Sequence, residues 1–283
     1  MLSLIVATVG RIHETERLLS TLDTQSYREF EVVVVDQNTD DRLVEVLQRH
    51  QGLSILHLRA ERGCSHARNV GLSAARGEII CFPDDDCWYP SDLLALVSDW
   101  FRNHPEFGGL FACLRDADNR PVGPKWPKRA EVCTRKNMFH LGLTPNGFLR
   151  RQVTDAIGLF DENIGPGAKS LYQSGEDFDY FLRALEHGYQ MWFEPALTVH
   201  HPSYHAIERM QRTTYTYALG GAYVLRKHRY PLGFLAGLVC RSLGGAAVDI
   251  CKADFENAKL YLVRAAGQLR GYFWGAQDIT PLQ

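Results

Sequence analysis

The chain carries little that would mark a secreted, nucleic-acid-binding or membrane-embedded protein. Its seven cysteines, Cys64, Cys81, Cys87, Cys113, Cys133, Cys240 and Cys251, are odd in number, scattered, and form no CxxC pair. That excludes a dense disulfide framework and points to free thiols in a reducing compartment. There is no broad excess of Lys and Arg: the formal net charge is -2, whereas a phosphate backbone favours many cations, so no nucleic-acid partner is expected. The N-terminal MLSLIVATVGR reads straight into a strand without a basic leader and small-residue cleavage site, so no signal peptide is expected. The longest apolar stretch, Tyr230 to Cys251, is interrupted by Arg241 and Asp249 and makes a poor membrane span. Internal repeats and low-complexity tracts are also absent from the sequence.

What is present is a chain of 283 residues with 45% hydrophobic composition, enough to bury a sizeable core as one large domain or one domain plus an appendage. Charge is unevenly distributed. From Ala206 to Trp274 there are ten Lys and Arg against four Asp and Glu, so a basic, apolar tail follows an acidic body.

The first half alternates β-branched runs with amphipathic segments, the pattern of βαβ units and a mostly parallel sheet. Strands are predicted at Leu2–Thr8, Phe30–Asp36, Leu53–Leu58 and Glu78–Phe82, with helices at Thr15–Gln25, Leu43–His50 and Ser65–Ala75. The near-continuous apolar run FEVVVVD suits a strand buried on both faces. Ser91 is expected to cap a helix Asp92–Arg102. Further strands are expected at Gly109–Cys113 and Thr144–Leu149, a loop at Pro121–Arg129, and a helix at Gly175–His187. Three helices, Ile207–His228, Leu232–Cys251 and Phe255–Gly271, fill the final third.

Ligands of open α/β sheets sit beyond the carboxyl ends of the strands. That rule brings together Thr8, Asp36 and the triplet Asp84-Asp85-Asp86. Three consecutive carboxylates repel one another, and a hard cation such as Mg²⁺ or Mn²⁺ would relieve the repulsion. The competing reading is a solvated acidic turn, against which stands the succeeding Cys87-Trp88-Tyr89-Pro90, the composition of a packed turn. Cys87 itself reads as packing. A second acidic cluster, Ser174-Gly175-Glu176-Asp177-Phe178-Asp179, opens a helix, where carboxylates are stabilised by the dipole in any case. Glu176 and Asp177 leave a helix start in different directions, so one can meet a substrate while the other holds the loop. Asp179 is expected to cap or to face water. His200-His201-Pro202 closes an apolar segment and offers imidazole as a ligand. Arg68, on a first helical turn, can reach a diphosphate or lock the Asp triplet. Gly165-Pro166-Gly167-Ala168-Lys169 and Gly175 surround a loop that either folds over a donor or simply needs glycine for turn geometry.

Taken in order, LSLIVATVGR, FEVVVVDQNTDD, GCSHARNVGLSAARGEIICFPDDDCWYP, LFDENIGPG, SGEDFDYFLRALEHGY and VHHP resemble the inverting glycosyltransferases of family 2, over roughly residues 1–205. Each motif is weak alone and the combination is specific. The resemblance implies the GT-A fold of nucleotide-diphospho-sugar transferases: an α/β, Rossmann-like mixed sheet flanked by helices. It implies a catalytic domain 1–205, with a nucleotide-binding half 1–115 and an acceptor-binding half 116–205, followed by a helical C-terminal extension 206–283. Thr8 and Arg11 would lie near the nucleotide, Asp36 would bind the base, usually uracil, and Arg68 would sit beside the pyrophosphate. Asp84 and Asp86 would form the DxD motif, Asp84 towards ribose or metal and Asp86 on the metal. With three Asp in a row the register is open by one, and Asp85 can take either role. Asp177, paired with Glu176, would be the general base. His201 would complete the ligand set for Mn²⁺ or Mg²⁺, with His200 the close alternative.

The activity so implied is single-displacement transfer of a hexosyl or related unit from a nucleotide-diphosphate sugar, UDP-sugar favoured, to a saccharide or lipid-linked acceptor, as in cell-surface polysaccharide or glycan synthesis. A cytoplasmic location is expected. Alternatives are a nucleotidyltransferase, for which Thr8-Val9-Gly10-Arg11 is a weak phosphate loop, and a non-catalytic sugar-nucleotide binding protein, against which Asp177 and His201 argue. The tail, with Arg226, Lys227, Arg229 and Arg241 near Leu232–Cys251 and Tyr272, Phe273 and Trp274 beyond, suits peripheral contact with the inner face of a membrane. Packing on the catalytic domain or homodimer formation is the other reading.

Overall fold

The computed structural model describes residues 1–123, 125–203 and 207–274; the last part of the expected extension, 275–283, lies outside the described residues. Strands β1 (Leu2–Thr8), β2 (Phe30–Asp36), β3 (Ile55–Arg59) and β4 (Ile79–Cys81) alternate with helices α1 (Ile12–Asp23), α2 (Val44–Arg49) and α3 (Cys64–Ala74). These four strands pair in parallel, as strands joined by helical crossovers do. All seven residues of β2 are buried, which explains its nearly unbroken apolar sequence. Helix α3 lies close on the sheet because Gly71 has no side chain: a Cβ there would stand 2.3 Å from Ile5 Cγ2.

Beyond β4 the sheet becomes mixed. Helix α4 (Leu93–Asn103) and β5 (Phe107–Arg115) are followed by β6 (Glu131–Val132), α5 (Met138–Leu141), β7 (Gly147–Arg150), α6 (Arg151–Ile157), α7 (Glu176–Glu186) and β8 (Gln190–His200). Among the described residues the sheet has eight strands in the order β3-β2-β1-β4-β7-β5-β8-β6. β7 runs antiparallel to β4 and β5, and β6 antiparallel to β8. The expected strand Thr144–Leu149 is corrected: Thr144–Asn146 is a 3₁₀ turn and pairing starts at Gly147. Pro145 has no N–H to give a ladder, and buried Asn146 instead donates to the Ala112 carbonyl at 2.6 Å. Ser91 does not cap α4. Asp92 occupies that position without a side-chain bond, and the Ser91 carbonyl accepts from Ser26 N at 2.8 Å.

The described residues separate into two compact units: 1–62, 66–160 and 180–203 in the first, and 63–65, 161–179 and the C-terminal helices from Ile207 in the second. The first holds the sheet. Its core includes Phe82 edge-on to Phe160 at 5.0 Å and Phe160 stacked on Tyr180 at 3.8 Å. The buried carboxylate of Glu31 is matched there by Ser3 Oγ at 2.7 Å and by Arg76 N and Nε at 2.6 and 2.9 Å, tying β1, β2 and the end of α3 together.

The second unit holds α8 (Ile207–Lys227), α9 (Leu232–Cys251) and α10 (Phe255–Phe273). α10 comes close to α8 through glycine: a Cβ on Gly271 would stand 2.1 Å from the Leu219 carbonyl oxygen. Asp179 does not face water. It is fully buried and receives Lys227 Nζ at 2.7 Å and His228 Nε2 at 2.9 Å, with Lys227 also 2.8 Å from Asp161. A buried carboxylate has to be paired in this way. In the segment 163–175, Gly165, Gly167 and Gly175 all have positive φ. Gly165 N donates to Tyr172 O and Gly167 N to Gln173 Oε1, both at 2.9 Å, so these glycines answer to turn geometry.

Candidate functional site

β1 and β4 are neighbours in parallel register, so their carboxyl ends open on the same edge of the sheet. The chain leaves β4 through Pro83 directly into Asp84-Asp85-Asp86, with Asp85 and Asp86 buried and Asp84 half-buried. β8 ends next to them. Trp88 and His200 form an isolated antiparallel bridge, each N–H donating to the other's carbonyl at 3.0 Å. That bridge brings His201 to the triplet: its Nε2 lies 3.2 Å from Asp86 Oδ1 and 3.7 Å from Asp84 Oδ2.

Of the adjacent pair, His201 therefore points into the cluster. The ring of His200 stacks on Trp88 at 5.3 Å, and its Nδ1 faces the Asp116 carbonyl at 3.2 Å. Arg17 completes this column, with its guanidinium 4.0 Å above the Trp88 ring and Nη2 donating to the Asp86 carbonyl at 2.6 Å. Arg17 and Trp88 are site residues that sequence reasoning missed. The only sequence signal for them is a cation six residues beyond Arg11 and an aromatic two residues after the acidic triplet.

Arg11 reaches the same carboxylates: Nη1 donates to Asp85 Oδ1 at 2.7 Å and to Asp86 Oδ2 at 2.6 Å. Arg68 Nη2 lies 3.2 Å from Asp84 Oδ1 and donates to Thr144 Oγ1 at 2.7 Å, so it touches the first residue of the triplet. Thr8 is buried at the end of β1, 3.1 Å from Thr15 Oγ1. Asp36 is fully buried one strand over, paired with Thr8 in the sheet register. Its carboxylate meets Asn38 N at 2.9 Å, His57 Nε2 at 3.1 Å and Arg59 Nη1 at 3.1 Å. His57 and Arg59, both on β3, are further neighbours that the sequence did not single out. Asp177 and Glu176 lie in the second unit, on the first turn of α7, Glu176 being buried.

Electrostatics within the cluster follow from its crowding. Burial lowers the His201 pKa, but the carboxylates of Asp84 and Asp86 outweigh it and push the imidazole up to about 10. Burial raises Asp85 and prevails over the opposing Arg11 and Thr8, leaving the carboxyl at about 6. For Asp86 burial also raises, yet His201 and Arg11 win and hold it below the usual carboxylate range. Arg11 and a protonated His201 thus supply the positive charge that these acids need.

The donor set fits a divalent cation. Asp86 Oδ1 is buried without an aligned hydrogen bond, although His201 Nε2 is within ion-pair distance. His201 Nδ1 lies 2.8 Å from the Pro202 carbonyl, an acceptor only, so the ring proton belongs on Nδ1. In the neutral imidazole the Nε2 lone pair then faces the carboxylates, the tautomer that ligation requires. Cys87 Sγ is near these donors, but burial raises its thiol well above the ordinary value. The oxygen and nitrogen donors of Asp84, Asp86 and His201 remain, a set for Mg²⁺ or Mn²⁺.

The mixed sheet and its flanking helices define a GT-A fold, which the C-terminal helices extend. The model of glycosyl transferase family 2 matches residues 3–158, more than half of the chain, and the protein belongs to that family. It is 33% identical over 193 residues to an uncharacterized glycosyltransferase of Haemophilus influenzae, covering 66% of this chain and 62% of that protein. To the glycosyltransferase AglE of Haloferax volcanii it is 24% identical over 213 residues, covering 71% of this chain and 66% of that one. The matches thus span a little under two thirds of these relatives' lengths. Among solved structures, S. aureus TarS 1-349 in complex with UDP superposes with a TM-score of 0.60 at 19% identity, covering 96% of this chain and 88% of that one. The mannosyltransferase PcManGT of Pyrobaculum calidifontis, in complex with GDP-Man and Mn²⁺, gives 0.61 at 18%, covering 95% and 86%. At these identities the two structures show a shared fold.

Proposed function

We propose that the protein is an inverting, metal-dependent glycosyltransferase that moves a sugar from a nucleotide-diphosphate donor, UDP-sugar favoured, to a saccharide or lipid-linked acceptor on the cytoplasmic side of the membrane. The observation that carries this reading is the convergence of Asp84, Asp86 and His201, from two strand ends far apart in sequence, on one buried cluster in a family 2 chain. The complexes of TarS with UDP and of PcManGT with GDP-Man and Mn²⁺ support the donor class and the cation, and seven free cysteines support a reducing compartment.

In this reading residues 1–115 serve the nucleotide, 116–205 the acceptor, and 206–283 form an extension. Asp36 binds the base, Thr8 and Arg11 lie along the nucleotide, and Arg68 faces the pyrophosphate while steadying Asp84. Asp85 holds Arg11 in place. Asp84, Asp86 and His201 would hold a divalent cation, which when bound would supply charge stabilisation for the departing diphosphate. The acceptor hydroxyl oxygen attacks the anomeric carbon as the bond from that carbon to the diphosphate oxygen breaks. Its proton passes to Asp177, and Glu176 orders the loop beside that base. One displacement inverts the centre, so an α-linked donor yields a β-linked product.

Nucleotide release measured with and without Mn²⁺, in wild type and in Asp177→Asn, tests the assignment. We expect the variant to keep donor binding and lose about 100-fold or more in transfer, the scale of a general base. Undiminished transfer would remove Asp177 from the mechanism, and Mn²⁺-independent transfer would remove the cation.

A further inference from the structure

Among the described residues of the second unit, one side of the α9–α10 hairpin is exposed. α9 buries a narrow stripe, Leu235, Val239, Ser242 and Ala246, and Leu235 and Val239 pack with Ala265 and Tyr272 of α10. At 3.6 residues per turn, the remainder of α9 presents an uncharged arc of about 160° containing Leu232, Ala236, Cys240, Leu243, Ala247 and Val248, all exposed. α10 has an exposed stripe of its own, Phe255, Leu262, Leu269 and Phe273, the first of these 66% exposed and the last 55%.

The two helices are joined by a turn of a few residues and are antiparallel. Helical phase then places both faces on the same side of their seam: Leu232, Leu243 and Ile250 border the buried stripe of α9, and Leu262 and Leu269 border that of α10. The result is one apolar surface about 30 Å long, the length of a 20-residue helix. Its two outer margins are cationic. Arg241 closes the far edge of the α9 arc, Lys259 and Arg270 close the far edge of the α10 stripe, and all three are exposed. Phe255 lies at one end of α10 and Phe273 and Trp274 at the other, where aromatic rings suit a headgroup layer.

We propose that this face of α9 and α10 lies flat in the headgroup region of an anionic bilayer, with the apolar centre facing the acyl chains and Arg241, Lys259 and Arg270 against lipid phosphates. Among the described residues α9 is the one helix long and apolar enough to span a bilayer, but spanning conflicts with its packing. It would either drag α10 with Lys259, Arg264 and Arg270 into hydrocarbon, where a charge is costly, or strip Leu235 and Val239 from Ala265. A second copy of the chain is the weaker occupant. A two-fold pairing of this face would bring cationic margins towards each other, with Glu256 as the one exposed carboxylate of the α9–α10 hairpin. The purpose of the surface, concentrating a transferase where lipid-linked acceptors reside, rests on the function proposed above; the surface itself does not.

Co-sedimentation of the full chain with vesicles of phosphatidylcholine, with and without phosphatidylglycerol, tests this. We expect binding that needs the anionic lipid, falls about tenfold or more when salt rises from about 0.1 M to 0.5 M, and drops at least tenfold in Leu243→Asp and in the triple variant Arg241→Glu, Lys259→Glu, Arg270→Glu. Both variants should keep the wild-type melting temperature and the stabilisation by UDP with Mn²⁺, which reports folding and the nucleotide site separately. Folded wild type that ignores anionic vesicles would overturn the proposal, as would self-association in solution abolished by Leu243→Asp, which would assign the face to a second copy. Vesicle binding without any transfer would leave this surface standing and remove the enzymatic reading alone.

Discussion

Arg11 is the residue on which the resting state of the site turns. Its guanidinium bridges Asp85 and Asp86 at 2.7 and 2.6 Å, so it competes for the charge that a divalent cation would neutralise. It is about one-third exposed, and such pairs contribute roughly 1 kcal/mol or less. Arg11→Gln should therefore tighten Mn²⁺ binding to the donor-free protein by about two- to fivefold while raising the donor KM, as read by Mn²⁺ electron paramagnetic resonance and steady-state kinetics. Weaker Mn²⁺ binding would show that Arg11 organises the carboxylates instead of competing for them. Away from the site, Glu31 is the residue whose titration bears on stability. Burial raises its pKa, but hydrogen bonds from Ser3 and Arg76 prevail and hold it below its ordinary 4.5. A depressed carboxylate contributes stability that is present above the unfolded pKa and is lost as pH falls through the folded one. Glu31→Gln should cost about 1.5–3 kcal/mol at neutral pH, and the gap to wild type should close as pH falls below 4.5, checked by urea unfolding along a pH series.

At the scale of elements, the link between the β4 turn and the end of β8 makes the cluster. The Trp88–His200 bridge sets the height of the two segments, and the Arg17–Trp88–His200 column keeps them there. Trp88→Leu removes the stacking surface and leaves the bridge. The expected outcome is Mn²⁺ affinity lowered about tenfold, since roughly 1.4 kcal/mol of stacking and cation–π contact is removed, with kcat at saturating Mn²⁺ changed less. Trp88→Phe should restore most of the affinity. A Trp88→Leu protein of lowered melting temperature but unaltered Mn²⁺ affinity would make the column purely structural. The same elements show where sequence reasoning stops. β2 and α3 announce themselves by long, clean periodicity, whereas β6 has two residues and α5 four, too few to show any period. A strand alternates its side chains with period two, so adjacent His200 and His201 leave on opposite sides, and only the pairing partner of β8 decides which one meets the triplet.

For the whole molecule, donor binding should appear as stability. A ligand that binds only the folded state adds about 2.7 kcal/mol at a hundredfold excess over Kd, which for a chain of this size corresponds to roughly 5–10 °C. In a panel of nucleotide sugars with Mn²⁺, the physiological donor should produce a shift of that order, and the shift should collapse when EDTA replaces Mn²⁺. Equal shifts with and without the cation would show that nucleotide binding does not use the carboxylate cluster.

The sequence by itself determined the βαβ series, the strand-end positions of Thr8, Asp36 and Asp84 to Asp86, the helical tail with its basic and apolar composition, and the family motifs, because each is a local pattern of period, capping or charge. Tertiary structure alone decided that β7 and β6 enter antiparallel, that His201 and not His200 faces Asp86, that Arg11 fills the carboxylate cluster, and that Asp179 is buried against Lys227 and His228 instead of facing water. Those outcomes depend on register, on which faces become buried, and on partners many residues away. Local sequence carries no record of the distances between them.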